Sequence, residues 1–132
     1  MNYILRTYDL TKTYKNLNVV DKLNLNVKQG DIYGFLGKNG AGKTTTIKMI
    51  LGILQVSSGE IELFGNKILD RNCYGRIGCL VDYPGFYLNL TAEENLEIHR
   101  RMSGFAAKDS VKKTLEMVGL KNIGNKKVKN FS

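Results

Sequence analysis

The sequence has no tryptophan, a single proline, one histidine and two cysteines in 132 residues. Two cysteines do not build a disulfide framework, and the spacing of Cys73 from Cys79 matches no zinc-ligand pair. The chain therefore reads as one kept in a reducing compartment. Long apolar runs are missing as well: Met49-Ile50-Leu51 and Ile53-Leu54 fall far short of the ~20 residues that cross a bilayer. Residues 1–14 scatter charges and hydroxyls where a secretory signal would carry an apolar core. No internal repeat or low-complexity tract is present. Apolar residues are not scarce, and at 42% hydrophobic the composition excludes a disordered chain. The length is that of one domain or slightly less.

Acidic residues are outnumbered, 12 against 20 Lys and Arg, for a formal charge of +8. Such a balance invites a nucleic-acid partner, and Lys121, Lys126, Lys127 and Lys129 cluster late in the chain. No aromatic residues interleave with these lysines, as single-strand binders require, so the cluster reads as a solvated loop with no specific nucleic acid. A basic surface near anionic lipid is equally compatible with it.

Two periodicities divide the chain. Residues 22–28 alternate, with Leu23, Leu25 and Val27 on one side and Asn24 and Asn26 on the other, which predicts a half-buried antiparallel strand. Glu60-Ile61-Glu62-Leu63 repeats the pattern, and Gly65-Asn66 supplies a turn before Lys67-Ile68-Leu69. The first dozen residues add another strand. By contrast, Ile32-Tyr33-Gly34-Phe35-Leu36 is short, continuously apolar and followed by glycines, as a parallel strand covered on both faces would be; residues 77–81 read the same way. Between them Ile47, Ile50, Leu51 and Leu54 are spaced as one helical face, which predicts a helix over 43–54. The final third is helical. Thr91 and Glu94 have capping-box spacing, and Val111, Leu115 and Val118 share a face that stops at Gly119.

Gly37-Lys38-Asn39-Gly40-Ala41-Gly42-Lys43-Thr44 fits the phosphate-loop pattern G-x-x-x-x-G-K-[ST], with an apolar segment before it and an amphipathic helix after it. Glycines let backbone N–H groups turn inward around phosphate oxygens with no Cβ in the way. The helix beginning near Lys43 aims its free N–H groups and positive dipole end at the same anion. Lys43 would reach the β- and γ-phosphates, the Thr44 hydroxyl would help hold Mg²⁺, and Thr45 would add a bond on the α-phosphate side. The motif and its setting predict nucleoside triphosphate binding.

The order of these features resembles the nucleotide-binding subunit of ABC transporters over the whole chain. Tyr14 stands where that family places an aromatic residue to stack on adenine. Ser57-Ser58-Gly59-Glu60-Ile61 looks like its return into the antiparallel lobe, and Ile77-Gly78-Cys79-Leu80-Val81-Asp82 like the strand that leads into the Q-loop. Asp82 occupies the place of the usual glutamine, which touches Mg²⁺ and the attacking water. The stretch from Pro84-Gly85-Phe86-Tyr87 to Leu90-Thr91-Ala92-Glu93-Glu94 is similar to bacitracin- and lantibiotic-type exporters, where an acidic residue is common at this point. Asn130-Phe131-Ser132 falls where the family's signature sequence begins. His99, the one histidine, lies on a predicted helix well before the family's switch histidine and reads as a surface residue.

The resemblance implies an incomplete α/β phosphate-loop NTPase domain of ABC type. It would hold an antiparallel β lobe, part of the parallel core sheet with the phosphate-loop helix, and part of the helical subdomain. Residues 1–90 would form the catalytic core and β portion, and 91–132 the helical portion. It further implies ATP and Mg²⁺ as cofactors, Lys43 and Asp82 as catalytic groups, and Thr44 and Asp82 as metal ligands. A transmembrane permease and a second ATP-binding subunit would be the partners, at the inner face of the membrane, with export of a peptide antibiotic or a similar substrate as the function. The Walker B aspartate and the glutamate that activates water are expected beyond residue 132, so the chain is expected to bind nucleotide without hydrolysing it. The parallel neighbours of residues 32–36 are expected there too. Unpaired, those residues would expose a few hundred Å² of apolar surface, about 10 kcal/mol, and favour self-association through the open sheet edges. The rival readings are a soluble ABC-type ATPase and a small-molecule kinase sharing the phosphate loop.

Overall fold

The computed structural model describes residues 2–67, 71–81 and 85–131. Its chain divides into two compact units, residues 1–79 and 80–132. The first is built on a five-stranded antiparallel sheet in which the long strand β1 (Tyr3–Tyr14) is central. β1 pairs with β2 (Leu17–Leu23) along its second half and with β3 (Asn26–Lys28) along its first. β4 (Ser58–Leu63) lies on its other side and carries β5 (Asn66–Lys67).

The alternating stretch 22–28 is broken where the sequence predicts one strand. Its burial still alternates: Leu25 and Val27 are buried while Asn24 and Asn26 are exposed. The break comes from a bulge at which Asp9 (φ 45°) and Lys22 (φ 44°) both take positive φ. Side chains complete the interrupted ladder there. Asn24 Oδ1 accepts from the Asp9 N–H at 2.9 Å, and Thr11 Oγ1 accepts from the Lys22 N–H at 3.0 Å. Thr7, only 2% exposed, donates through Oγ1 to the Leu23 carbonyl and accepts from the Leu25 N–H, both at 2.8 Å. The second hairpin also shifts by one residue. Its turn is Phe64-Gly65, with φ of 51° and 81°, so Asn66 pairs with Leu63 instead of turning the chain.

Helix α1 (Lys43–Ile50) ends four residues before the predicted boundary. Gly52 stops it by taking φ 67° just past the cap residue Leu51, and the Gly52 N–H bonds to the Met49 carbonyl. The buried positions of α1 are Thr46 and Met49, with Ile50 half-buried, while Ile47 is 40% exposed. Met49 joins Leu10, Val20, Ile61 and Leu63 in the core, against which Leu54, Val56, Tyr74 and Ile77 pack.

The apolar segments 32–36 and 77–81 are not strands. Ile32 and Leu36 are almost wholly exposed, and Leu80 is exposed as well. A parallel strand exists only with neighbours to accept its slanted hydrogen bonds, and every strand pair among the described residues is antiparallel.

The second unit packs α2 (Ala92–Met102) against α3 (Ser110–Met117). The capping box forms as the sequence predicts: the Thr91 N–H donates to Glu94 Oε2 at 2.8 Å and the Glu94 N–H to Thr91 Oγ1 at 3.1 Å. Asn95 is buried and fastens the preceding loop, accepting from the Tyr87 N–H and donating to the Tyr87 and Thr91 carbonyls. Arg100 and Arg101 hold the Glu97 carboxylate down to about 2 through charged hydrogen bonds. Ala92, Val111 and Leu115 form the core. Val118, predicted to share that face, is 60% exposed. The chain reverses at Gly119 (φ 75°), the Leu120 N–H returns to the Leu115 carbonyl at 2.7 Å, and Leu120 packs inward in its place. Among the described residues no helix is long and apolar enough to cross a membrane.

Thr7→Val keeps the shape of the side chain and removes the partner of the buried Leu25 N–H and a donor to the half-buried Leu23 carbonyl. The expected loss is about 1–3 kcal/mol of stability, read as a lower urea midpoint with an unchanged m-value.

Candidate functional site

The phosphate-loop sequence forms a closed turn between residue 36 and α1. Its shape depends on Gly42, which precedes the helix at φ 83°. A Cβ there would lie 2.5 Å from the Val19 carbonyl oxygen and 2.9 Å from Val20 Cγ2, so only glycine lets the loop approach β2 this closely. The Gly42 carbonyl accepts from both the N–H and the hydroxyl of buried Thr46, at 2.8 and 2.9 Å, which fixes the first turn of α1 from inside. Earlier in the loop the Ala41 N–H donates to the Lys38 carbonyl at 3.1 Å, closing a turn over Asn39 and Gly40. Gly37 comes so near Ala41 that an added Cβ would sit 3.3 Å from the Ala41 methyl group.

Lys43 spans this turn. Its Nζ donates to the Gly37 carbonyl at 2.6 Å and to the Lys38 carbonyl at 2.8 Å, so the ammonium lies across the loop at the head of the helix. Gly42 offers no side-chain cap, and the first turn carries no acidic residue. The leading N–H groups of α1 therefore keep their positive end free of a competing anion, which suits a phosphate. Thr44 is exposed and Thr45 half-buried on the same turn, and Lys38, Asn39, Gly40 and Ala41 are all exposed. The exposed Thr44 hydroxyl fits Mg²⁺, an ion that takes one or two protein oxygens and fills its shell with phosphate oxygens and water.

Tyr14 ends β1, is paired with Leu17 across the Lys15-Asn16 turn, and is 47% exposed. β2 connects it to the loop, since Val19 and Val20, two and three residues beyond Leu17, are the groups against Gly42. Tyr14 and residues 37–45 thus belong to one unit. Asp82 and Ser132 lie outside the described residues. His99 is exposed on α2, where its Nδ1 is 3.4 Å from Ser103 Oγ. Of the late lysines, Lys121 pairs with Glu116 at 2.9 Å and Lys127 and Lys129 are exposed. Among the described residues no cluster of three or more His, Cys, Asp or Glu is placed to hold a metal. Two contributors went unread in the sequence. Thr46 anchors Gly42, and Lys12 lies over the Tyr14 ring; the i, i+2 spacing along β1 was the available signal for the latter.

A strand hairpin packed on a glycine loop, followed by a helix whose lysine turns back over that loop, is a phosphate-loop arrangement. The model of the ABC transporter family matches residues 20–132. The chain belongs to that family. It is 52% identical over 134 aligned positions to the bacitracin transport ATP-binding protein of Bacillus licheniformis, covering all of this chain and 44% of that protein. It is 33% identical to the lantibiotic transport ATP-binding protein of Streptococcus pyogenes, covering 98% of this chain and 56% of that one. Among solved structures, the ATP-binding subunit of an ABC transporter aligns with TM-score 0.80 at 27% identity, over 98% of this chain and 56% of the other. A nucleotide-free ATP-binding cassette from an ABC transporter aligns with TM-score 0.80 at 25% identity, over 98% and 59%. The chain thus spans about half the length of the relatives it matches. The ABC-type fold is the one expected from the sequence, with its antiparallel lobe, loop helix and helical portion present and the expected part of the parallel sheet not formed among the described residues.

Gly42→Ala places a side chain in a left-handed backbone and against the Val19 carbonyl. The conformation alone is expected to cost about 1–2 kcal/mol. Hydrogen exchange should show the Thr46 amide losing protection together with a lower urea midpoint.

Proposed function

We propose that this chain binds Mg-ATP as the nucleotide-holding part of the ATP-binding subunit of an ABC transporter. In the whole subunit, ATP binding and hydrolysis would drive export of a peptide antibiotic or similar substrate. The observation that carries the reading is the Lys43 ammonium, held 2.6 and 2.8 Å from two loop carbonyls at the uncapped start of α1. There it gives up those carbonyl bonds for the β- and γ-phosphates, while the loop amides and the helix end take the remaining phosphate oxygens. Thr45 adds its hydroxyl on the α-phosphate side. Tyr14 offers its ring face to the base, a contact that reads a π-surface and discriminates poorly between purines.

Thr44 and Asp82 would hold Mg²⁺, which neutralises phosphate charge when bound. Phosphoryl transfer depends on positioning and charge stabilisation, so a base for the attacking water is as necessary as the loop. These 132 residues contain no Asp-Glu pair closing an apolar strand. These 132 residues are accordingly proposed to bind nucleotide, with hydrolysis left to the whole subunit. A transmembrane permease and a second ATP-binding subunit are the proposed partners, which places the subunit on the cytoplasmic side of a membrane. The export reading rests on the likeness to proteins whose names specify bacitracin and lantibiotic transport. The exposed apolar side chains of Ile32, Leu36 and Leu80 support self-association of this chain at high concentration.

Calorimetric titration is expected to show Mg-ATP binding that Lys43→Met weakens by about tenfold or more, the low end for a charged hydrogen bond. Steady-state turnover is expected to stay well below about 1 s⁻¹. Equal affinities for the two proteins would overturn the phosphate-loop reading, and turnover above that rate would overturn the binding-only assignment. Sedimentation should give a mass above the monomer that falls on dilution; a monomer at every concentration removes the self-association.

A further inference from the structure

Lys12 precedes Tyr14 by two residues on β1. Its Nζ lies 5.1 Å from the centroid of the Tyr14 ring and donates a 2.6 Å hydrogen bond to the Gln55 carbonyl. Gln55 belongs to the segment that leaves α1 after Gly52 has stopped the helix. The same segment is laced to β1 on either side of Lys12: the Thr13 N–H donates to Ser57 Oγ at 3.0 Å, and the Ser57 N–H donates to the Thr11 carbonyl at 3.0 Å. One ammonium therefore touches both the ring proposed to meet the base and the exit of the helix proposed to meet the phosphates.

Tyr14 stands at the end of its strand beside a two-residue turn and is 47% exposed. An exposed ring in such a place loses rotamer freedom when a base stacks on it, so a contact that already holds the ring lowers the cost of stacking. A lysine can do both jobs required here, because its ammonium has three donors and a cation is attracted to a ring face. Lys12 lies over the Tyr14 ring while 47% of the residue stays exposed, which leaves ring surface for a base. Lys12 and Tyr14 stand two residues apart on β1, the spacing that puts side chains on one face of a strand, and β1 slips against β2 between Leu10 and Lys12 and again between Lys12 and Thr13.

We infer that Lys12 is a positioning residue for nucleobase recognition. It holds the Tyr14 ring as the base platform and ties that platform to the segment leaving the phosphate-loop helix. The inference rests on the ATP-binding reading and adds to it a residue which that reading does not use.

The test compares Mg-ATP with inorganic tripolyphosphate, which has the phosphates and no base. Lys12→Met keeps the apolar stem and removes the charge. It is expected to weaken ATP about two- to fivefold, the span of an exposed cation–π contact, and to leave tripolyphosphate unchanged. Lys12→Arg, whose guanidinium also stacks on rings, should restore ATP affinity and shows that the position tolerates change. Tyr14→Ala should weaken ATP about fivefold or more, and adding Lys12→Met to it should have no further effect, since the ring through which Lys12 acts is gone. A 2-aminopurine triphosphate gives an independent signal, as its fluorescence quenching on stacking should fall in Lys12→Met.

A lysine that only fastens the sheet to residue 55 predicts something else. Equal weakening of ATP and tripolyphosphate by Lys12→Met overturns the inference, as does unchanged ATP affinity in Lys12→Met when Tyr14→Ala weakens it. If Tyr14→Ala leaves ATP unchanged, or if the unaltered chain binds neither ligand, the failure lies in the ATP-binding reading and the inference falls with it.

Discussion

The close approach of Gly42 to the Val19 carbonyl is the constraint on which the site depends. A left-handed residue without a Cβ lets the loop turn directly against β2, so α1 starts at a fixed height over the antiparallel sheet. From that start Thr46 and Met49 reach the buried side, and Lys43 reaches back over the loop. Any bulk at Gly42 pushes the helix head away from the sheet and breaks all three relations at once. The phosphate loop is therefore a packed feature of the β lobe as much as a flexible cradle.

The β lobe is shaped to receive it. β1 is long, and its pairing is interrupted near Asp9 and its neighbour Lys22 on β2, both at positive φ, where Asn24, Thr11 and Thr7 supply side-chain bonds to the backbone. Polar side chains inside a sheet usually compete with backbone pairing. Here they substitute for it, which lets one strand pair with β2, β3 and β4 in turn. The tight turn at Lys15-Asn16 puts Tyr14 and the Gly42 contact on the same hairpin of β1 and β2.

Much of the site was legible in the sequence because its chemistry is local. Eight consecutive residues specify the loop motif and place its lysine at the start of the helix, but the left-handed turn at Gly42 against Val19 and the return of Lys43 to the Gly37 and Lys38 carbonyls are seen only in the structure. The capping box at Thr91 and Glu94 and the glycine stop after α3 were legible for the same reason. The errors share an origin in packing. Alternation across residues 22–28 correctly separates buried from exposed residues but cannot reveal a bulge, because burial and backbone pairing are separate demands. Helix α1 was extended past Gly52 because leucine spacing continued. The turn at Phe64 was displaced because a bulky residue at positive φ has no composition cue.

Residues 32–36 and 77–81 mark the boundary most clearly. Their composition suits parallel strands, yet a strand is a relation between chains of hydrogen bonds, and among the described residues those segments have no parallel partner. Lys12 is the opposite case, a residue with no motif that acquires a role from what surrounds it. The loop motif, the capping box at Thr91 and Glu94 and the stop at Gly119 could be read from residue order, since each is decided by backbone sterics and bonds to near neighbours. Which apolar runs become strands, which face of α1 is buried and how the loop meets β2 emerged from packing, because those outcomes need atoms distant in the chain to come within contact.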